Sequence, residues 1–215
     1  MKIAVYTCVT EGKDLVATQA YQHAAVDYFL FGELNVNGWK TRPLQYGKGS
    51  GSIIARWHKT HPHRLFPDHN VSVWLDGNID IVNCDLHKCV KSWLRFANMA
   101  LFSHPEGRRC IYDEYEACMR LRKDQPDLMT KQIGQYRKEN YPEDNGLAMT
   151  GVLARRHNEK DVVMAMDKWW EQIRIFSCRD QLSFNYIAHT LNFRYVEIQE
   201  YYLDSMFRNR RHLKR

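Results

Sequence analysis

At 215 residues, with 44% hydrophobic and 13% aromatic side chains, the chain carries enough apolar material for one large α/β domain and is excluded from the disordered class. Its formal net charge of +6 sits mostly at the end: Arg208, Arg210, Arg211, Lys214 and Arg215 supply five positive charges, which leaves about +1 elsewhere by subtraction. No apolar run approaches the ~20 residues of a membrane helix, and residues 1–10 read as a first strand rather than a secretory leader.

In chain order, 2–9 is a β-rich apolar run and 15–26 a helical stretch. Residues 27–32 read as a second buried strand, 52–66 as partly helical, and 71–75 as a strand ending abruptly at Asp76-Gly77. An amphipathic helix is predicted over 85–97 with Asn83 or Asp85 as its cap, then a short strand at 99–102 and helices at 111–123 and 128–140. A strand at 147–154, helices at 158–176 and 181–191 and a last strand at 193–198 complete the pattern. Short apolar strands alternating with helices predict a central, mainly parallel sheet covered on both faces. Ligands of such sheets gather beyond the carboxyl ends of the strands. No repeat or linker divides the chain, so 1–207 is expected to form one domain and 208–215 a basic tail.

Six cysteines (Cys8, Cys84, Cys89, Cys110, Cys118, Cys178) form no CxxC pair and no zinc spacing. They read as reduced thiols and predict a cytoplasmic setting.

The sharpest feature is the stretch Ser72-Val-Trp-Leu-Asp76-Gly-Asn78-Ile-Asp80. An apolar strand runs into three oxygen-bearing side chains at alternate positions, which share a face if the chain stays extended. Clustered carboxylates need a cation between them, and hard ions such as Mg²⁺ or Mn²⁺ take a few carboxylate oxygens and fill the rest of their shell with water and phosphate. The spacing alone fits a turn equally well, since Asp-Gly and Gly-Asn are turn pairs. Arg56 and Lys59, three apart on a helix, would suit a diphosphate; a solvated face is the plain alternative, as good for Lys59 and less so for Arg56 among its apolar neighbours.

The ordered blocks Ala55-Arg-Trp-His-Lys59, Trp74 to Asp80, Ser103-His-Pro105, Tyr112-Asp-Glu114 and Arg179-Asp-Gln-Leu-Ser-Phe184 resemble the GT-A glycosyltransferases of the DUF616 type. They are also similar to the glycosyltransferase domain at the N-terminus of a large chlorella-virus protein. The matching blocks cover most of the chain, and the departure is Asn78, where a strict DxD motif carries Asp. The resemblance implies a GT-A-like, Rossmann-related fold and metal-dependent transfer of a hexosyl or deoxyhexosyl unit. The donor implied is a nucleoside diphosphate sugar with UDP as its nucleotide, and the acceptor a hydroxyl on a glycan or glycoprotein, in the host cytoplasm if the chain is viral. It places Thr7, Val9 and Thr10 at the nucleotide, with Arg56, Lys59, Asp76, Gly77 and Asn78 on the nucleotide sugar. Asp76, Asn78, Asp80 and His212 become candidate ligands of Mn²⁺ or Mg²⁺, with Asn78 or Asp80 as the direct ligand beside Asp76; taken residue by residue, the tail holding His212 reads more readily as a disordered basic end. Asp180 becomes the acceptor-side general base if the reaction inverts, though an Asp at that place also suits a helix cap. His104 and Glu114 are weaker candidates.

Two other readings stand beside this one. A Mg²⁺-dependent phosphate-transferring or phosphate-hydrolysing α/β enzyme would also place Asp after a strand, but the Asp-x-Asp-x-Thr/Val signature is not met. A nucleic-acid-binding module would use the basic tail, yet no RNP, zinc-finger or helix-turn-helix pattern accompanies it. No membrane span is expected, and further domains can follow in a longer protein.

Overall fold

The computed structural model describes residues 1–12, 14–105 and 107–210. Its first half contains β1 (Ile3–Cys8), β2 (Val26–Phe31), β3 (Lys40–Arg42), α1 (Gly51–Thr60), α2 (Pro62–Leu65), β4 (Val71–Leu75), β5 (Ile79–Ile81) and α3 (Leu86–Trp93). The second half continues with β6 (Met99–Ser103), α4 (Ile111–Arg120), α5 (Pro126–Lys138), β7 (Ala148–Arg155), α6 (Lys160–Ile175), α7 (Gln181–Thr190), β8 (Val196–Ile198), α8 (Tyr201–Met206) and β9 (Phe207–Asn209). Helix starts follow local chemistry. Ser50 Oγ accepts from the Ile53 N–H at the head of α1, and Asp85, one of the two predicted caps, accepts from Lys88 N–H at the head of α3.

Seven strands make the central sheet in the order β3-β2-β1-β4-β7-β6-β8. The pairs β1–β2, β1–β4, β2–β3 and β6–β8 are parallel, whereas β7 runs antiparallel to both β4 and β6. The expected architecture, a mainly parallel sheet flanked by helices, is the one observed. Alternation along β1 divides the core: Ala4, Tyr6 and Cys8 pack on one side with Trp169 of α6 and Phe184 of α7. Ile3 and Val5 pack on the other with Leu86, Val90 and Leu94 from α3 and its end.

β7 is irregular near its middle. Its pairing with β6 jumps from Leu101–Leu153 to Phe102–Met149, so 150–152 bulge out of that ladder. Bulges of this kind re-aim side chains beside functional clefts.

The helical stretch predicted over 15–26 does not form. Its carbonyls are spent on side chains instead: Ala17 O accepts from Trp39 Nε1 and, locally, from Gln19 Nε2, and Tyr21 O from the Tyr28 hydroxyl. The Gln19 side chain, buried, accepts from Ile81 N–H at 2.7 Å. These contacts replace the i→i−4 ladder that the local pattern favoured.

The end of the chain folds back on the acidic segment. β9 pairs antiparallel with β5, Phe207 opposite Ile81 and Asn209 opposite Ile79, so Arg208 and Asn209 of the expected tail lie in a two-stranded ribbon. Residues 211–215, including His212 and Lys214, lie outside the described residues. Among the described residues no helix is long and apolar enough to cross a membrane.

Candidate active site

β4 delivers the acidic segment to the end of the sheet, where the chain turns at once. Ile79 N–H donates to Asp76 O at 2.9 Å, and Asp76 N–H donates to Gly151 O at 2.9 Å in the β7 bulge. The chain is therefore not extended through this segment; turn and site occupy the same residues, and the shared face that strict alternation would give is absent. Gly77 is required by close approach: a Cβ there would meet Val9 Cγ2 at 2.9 Å. Gly151 is constrained likewise, with Ile79 Cδ1 at 2.9 Å and Asp76 Oδ2 at 3.4 Å from where its Cβ would stand.

The three polar residues of the turn point to different partners. Asp76 Oδ1 accepts from Trp74 Nε1 at 2.7 Å and lies 3.5 Å from Lys59 Nζ, while its side chain stays 31% exposed. The Asn78 amide nitrogen donates to Asn209 Oδ1 and to Arg210 O, both at 2.8 Å. Two acceptors on the nitrogen fix the amide's orientation and leave its oxygen as the acceptor. Asp80 Oδ2 pairs with Arg210 Nε at 2.8 Å, and its other oxygen is buried with no hydrogen-bond partner among the described residues.

Asp180 stands immediately before α7, yet its side chain makes no capping bond. It is enclosed, 2% exposed, and binds three groups instead: Lys59 Nζ, Arg56 Nε at 3.2 Å and the Thr150 hydroxyl at 3.0 Å. Burial would raise this carboxyl, but the Arg56 and Lys59 cations, with Arg179 behind them, outweigh it and hold Asp180 well below the usual carboxylate range.

A cleft of about 270 Å³ opens over these groups. Arg56, Asp76, Asn78, Thr150 and Asp180 line it, together with the Arg108–Glu114–Arg179 cluster. Glu114 is buried between Arg108 Nε at 2.9 Å and Arg179 at 3.5 Å. Lys59 and Asp80 are not part of the cleft wall. Thr7 and Val9 are buried in and just after β1, while Thr10 is half-buried beside Gly51.

Arg56, Asp76, Asn78 and Asp180, all named from the sequence, share one cleft; Thr150, the Trp74 indole and two ion pairs were not foreseen. Thr150 enters through a bulge that no local pattern announces. Trp74 had a usable signal, an indole two residues before a carboxylate on the same strand face. Arg179–Glu114 and Arg210–Asp80 pair residues far apart in the chain.

Residues 45–213 match the family described as TOD1/MUCI70, glycosyltransferase-like domain. The chain belongs to this family. It is therefore an enzyme of the glycosyltransferase class, in agreement with the resemblance carried by the Trp74–Asp80 and Arg179–Phe184 blocks. No curated protein matches the sequence. Among solved structures, a glycosyltransferase involved in glycosylation of the major capsid of PBCV-1 is 14% identical, with 94% of this chain and 83% of that chain covered and a TM-score of 0.49. The apo form of mouse xyloside xylosyltransferase 1 is 11% identical, with 92% and 84% covered and the same TM-score of 0.49.

Proposed function

We propose that this TOD1/MUCI70-type domain transfers a hexosyl or deoxyhexosyl unit from a UDP-sugar to a hydroxyl of a glycan or glycoprotein acceptor, with Mn²⁺ or Mg²⁺ bound at the end of β4. The observation that carries the reading is that the half-exposed Asp76 carboxylate and Asn78, whose amide nitrogen is engaged by Asn209 and Arg210, line the same cleft as Arg56 and Asp180. Among the described residues no three His, Cys, Asp or Glu side chains converge on a metal position. One carboxylate and one amide oxygen still suit a hard ion that keeps water and substrate phosphate in its shell. Asp76 and Asn78 would hold it, with His212 as a candidate from outside the described residues. A cation held there would supply positive charge against the departing diphosphate.

The chain's own residues account for the rest. The sugar C1–O bond to the β-phosphate breaks, a C1–O bond to the acceptor hydroxyl forms, and the hydroxyl proton and UDP leave. Arg56 faces the cleft and supports the phosphates. Asp180 presents a fixed negative charge to the positive charge that develops on the ring. Its two ion pairs also make it a weak base, so a proton passes to it late, after the forming C–O bond has made the acceptor oxygen acidic. Thr10 is the accessible member of the expected nucleotide edge. Six free cysteines support work in a reducing, cytoplasmic compartment.

The test is calorimetry and thermal shift with UDP and UDP-sugars in Mn²⁺, Mg²⁺ or EDTA. A ligand at ~100 times its Kd adds ~2.7 kcal/mol of stability. Binding that is equal with metal and with EDTA refutes the metal site, and absence of any UDP binding refutes the donor.

A further inference from the structure

Lys59 was expected at the nucleotide sugar, yet its ammonium is fully enclosed. It lies between the carboxylates of Asp180 and Asp76, the latter at 3.5 Å, and over the rings of Trp74 and Trp169 at 5.6 and 5.9 Å. Its backbone is held as firmly as its side chain. Lys59 O accepts from Arg155 Nη1 at 2.7 Å and from the Tyr6 hydroxyl at 3.0 Å, and Arg155 Nη2 donates to that same hydroxyl at 2.6 Å. Arg155 is itself fully buried, and the same Nη1 also lies 3.2 Å from the Met166 sulfur. Burial pushes the Tyr6 phenol up to about 12, so its hydroxyl keeps its proton at neutral pH.

Two cations are thus placed in the interior immediately behind the cleft. Apolar residues of similar volume commonly stabilise a fold as well as buried charges do, so stability alone gives no reason for them. What this arrangement supplies is geometry. A single ammonium touches both the carboxylate of the acidic turn, delivered by β4, and the carboxylate at the head of α7, and its own backbone is clamped to β1 and β7.

We propose that Lys59 is a positioning residue, held by Arg155 and Tyr6, that fixes Asp180 relative to Asp76 and so aligns the acceptor side of the cleft with the donor side. The inference rests on the proposed donor and acceptor assignment. Lys59 touches neither substrate nor metal; it acts through Asp180.

The experiment is a double-mutant cycle on the full chain with Lys59→Met, Asp180→Asn and both together. Two readouts are taken: UDP–Mn²⁺ affinity with turnover (transfer, or donor hydrolysis), and urea unfolding without ligand. Lys59→Met is expected to lose about 10²-fold in kcat, the scale of a misplaced reacting group, while UDP–Mn²⁺ affinity stays within about threefold. In the Asp180→Asn background the same change should cost little further turnover, and its destabilisation should shrink because both charges are gone. Losses in turnover that multiply, or affinity and turnover falling in parallel, overturn the proposal, as does a destabilisation equal in both backgrounds. If Lys59→Met alone does not fold, the double variant against Asp180→Asn decides it: near-equal turnover supports the role and a further tenfold loss sinks it. If the wild-type chain binds no UDP, the donor reading has failed, and the unfolding cycle still reports whether Lys59 is coupled to Asp180.

Discussion

Arg210 Nε lies 2.8 Å from Asp80 Oδ2, and the same guanidinium donates to Gly77 O at 3.3 Å. The acidic turn therefore carries the returning end of the chain, and Asp80 takes part through Oδ2.

A first prediction separates the two aspartates. Asp76→Asn is expected to lower metal-dependent UDP affinity by ~10-fold or more, since it removes the charge that faces the cleft. Asp80→Asn should leave that affinity within about threefold but cost ~1–3 kcal/mol of stability, because Arg210 loses its counter-ion. Calorimetry with Mn²⁺ and urea unfolding measure the two effects. Loss of metal dependence in Asp80→Asn would show that Asp80 is the direct ligand.

A second concerns where to cut the basic end. Phe207 is buried against Trp93 and Phe102, so truncation after Met206 removes core as well as charge. That cut should cost ~3–5 kcal/mol, the scale of a lost core aromatic. Truncation after Arg210 keeps the ribbon, and its expected outcome is unchanged thermal stability with weakened UDP binding. Unchanged UDP affinity in the shorter cut would mean that 211–215, His212 included, do not act on the donor.

Asp180→Asn reports on an interior charge rather than on a helix cap. With no capping bond to preserve, the substitution leaves Lys59 and Arg56 facing an uncharged amide, and a loss of ~3–5 kcal/mol is expected. Turnover should fall by ~10²–10⁴-fold. Parallel melting and activity measurements check both, and a variant with wild-type stability would mean that the ion pairs contribute nothing net.

The fourth prediction is a pH dependence of stability. Burial holds the imidazoles of His61 and His157 down to about 4, each ring giving its N–H to a backbone carbonyl, Trp57 O and Phe66 O. In the unfolded chain they titrate near ~6.5, so between these values the unfolded state binds more protons. Their stabilisation is complete above ~6.5 and is lost as pH falls toward about 4, by up to ~3 kcal/mol per ring. Asp180, with its lowered carboxyl, adds a loss only in strong acid. Urea midpoints from pH 7.5 to 4 should fall, and His157→Gln should flatten the fall; an unchanged slope would place the titration elsewhere.

The sequence by itself determined the strands that are buried on both faces and the helices long enough to show a period. β1, β2, β4 and β7 are short, mostly apolar runs, and α6 and α7 bury several apolar side chains each; these signals are local and need no partner. It also brought forward Arg56, Asp76 and Asn78, charged or amide side chains set beside apolar stretches, and, through the family resemblance, Asp180. Tertiary structure decided the rest. Whether 15–26 would coil or wind depended on Trp39, Tyr28 and Ile81 competing for its polar groups. Whether Asp180 would cap α7 depended on Lys59 and Arg56, more than a hundred residues earlier, reaching its carboxylate first. β5 and β9 are each three residues long, too short for any period, and exist because they pair with each other. The same pairing turned Asn78 and Asp80, two residues apart on one segment, to different tasks, since only the returning strand supplies the acceptors for one and the guanidinium for the other.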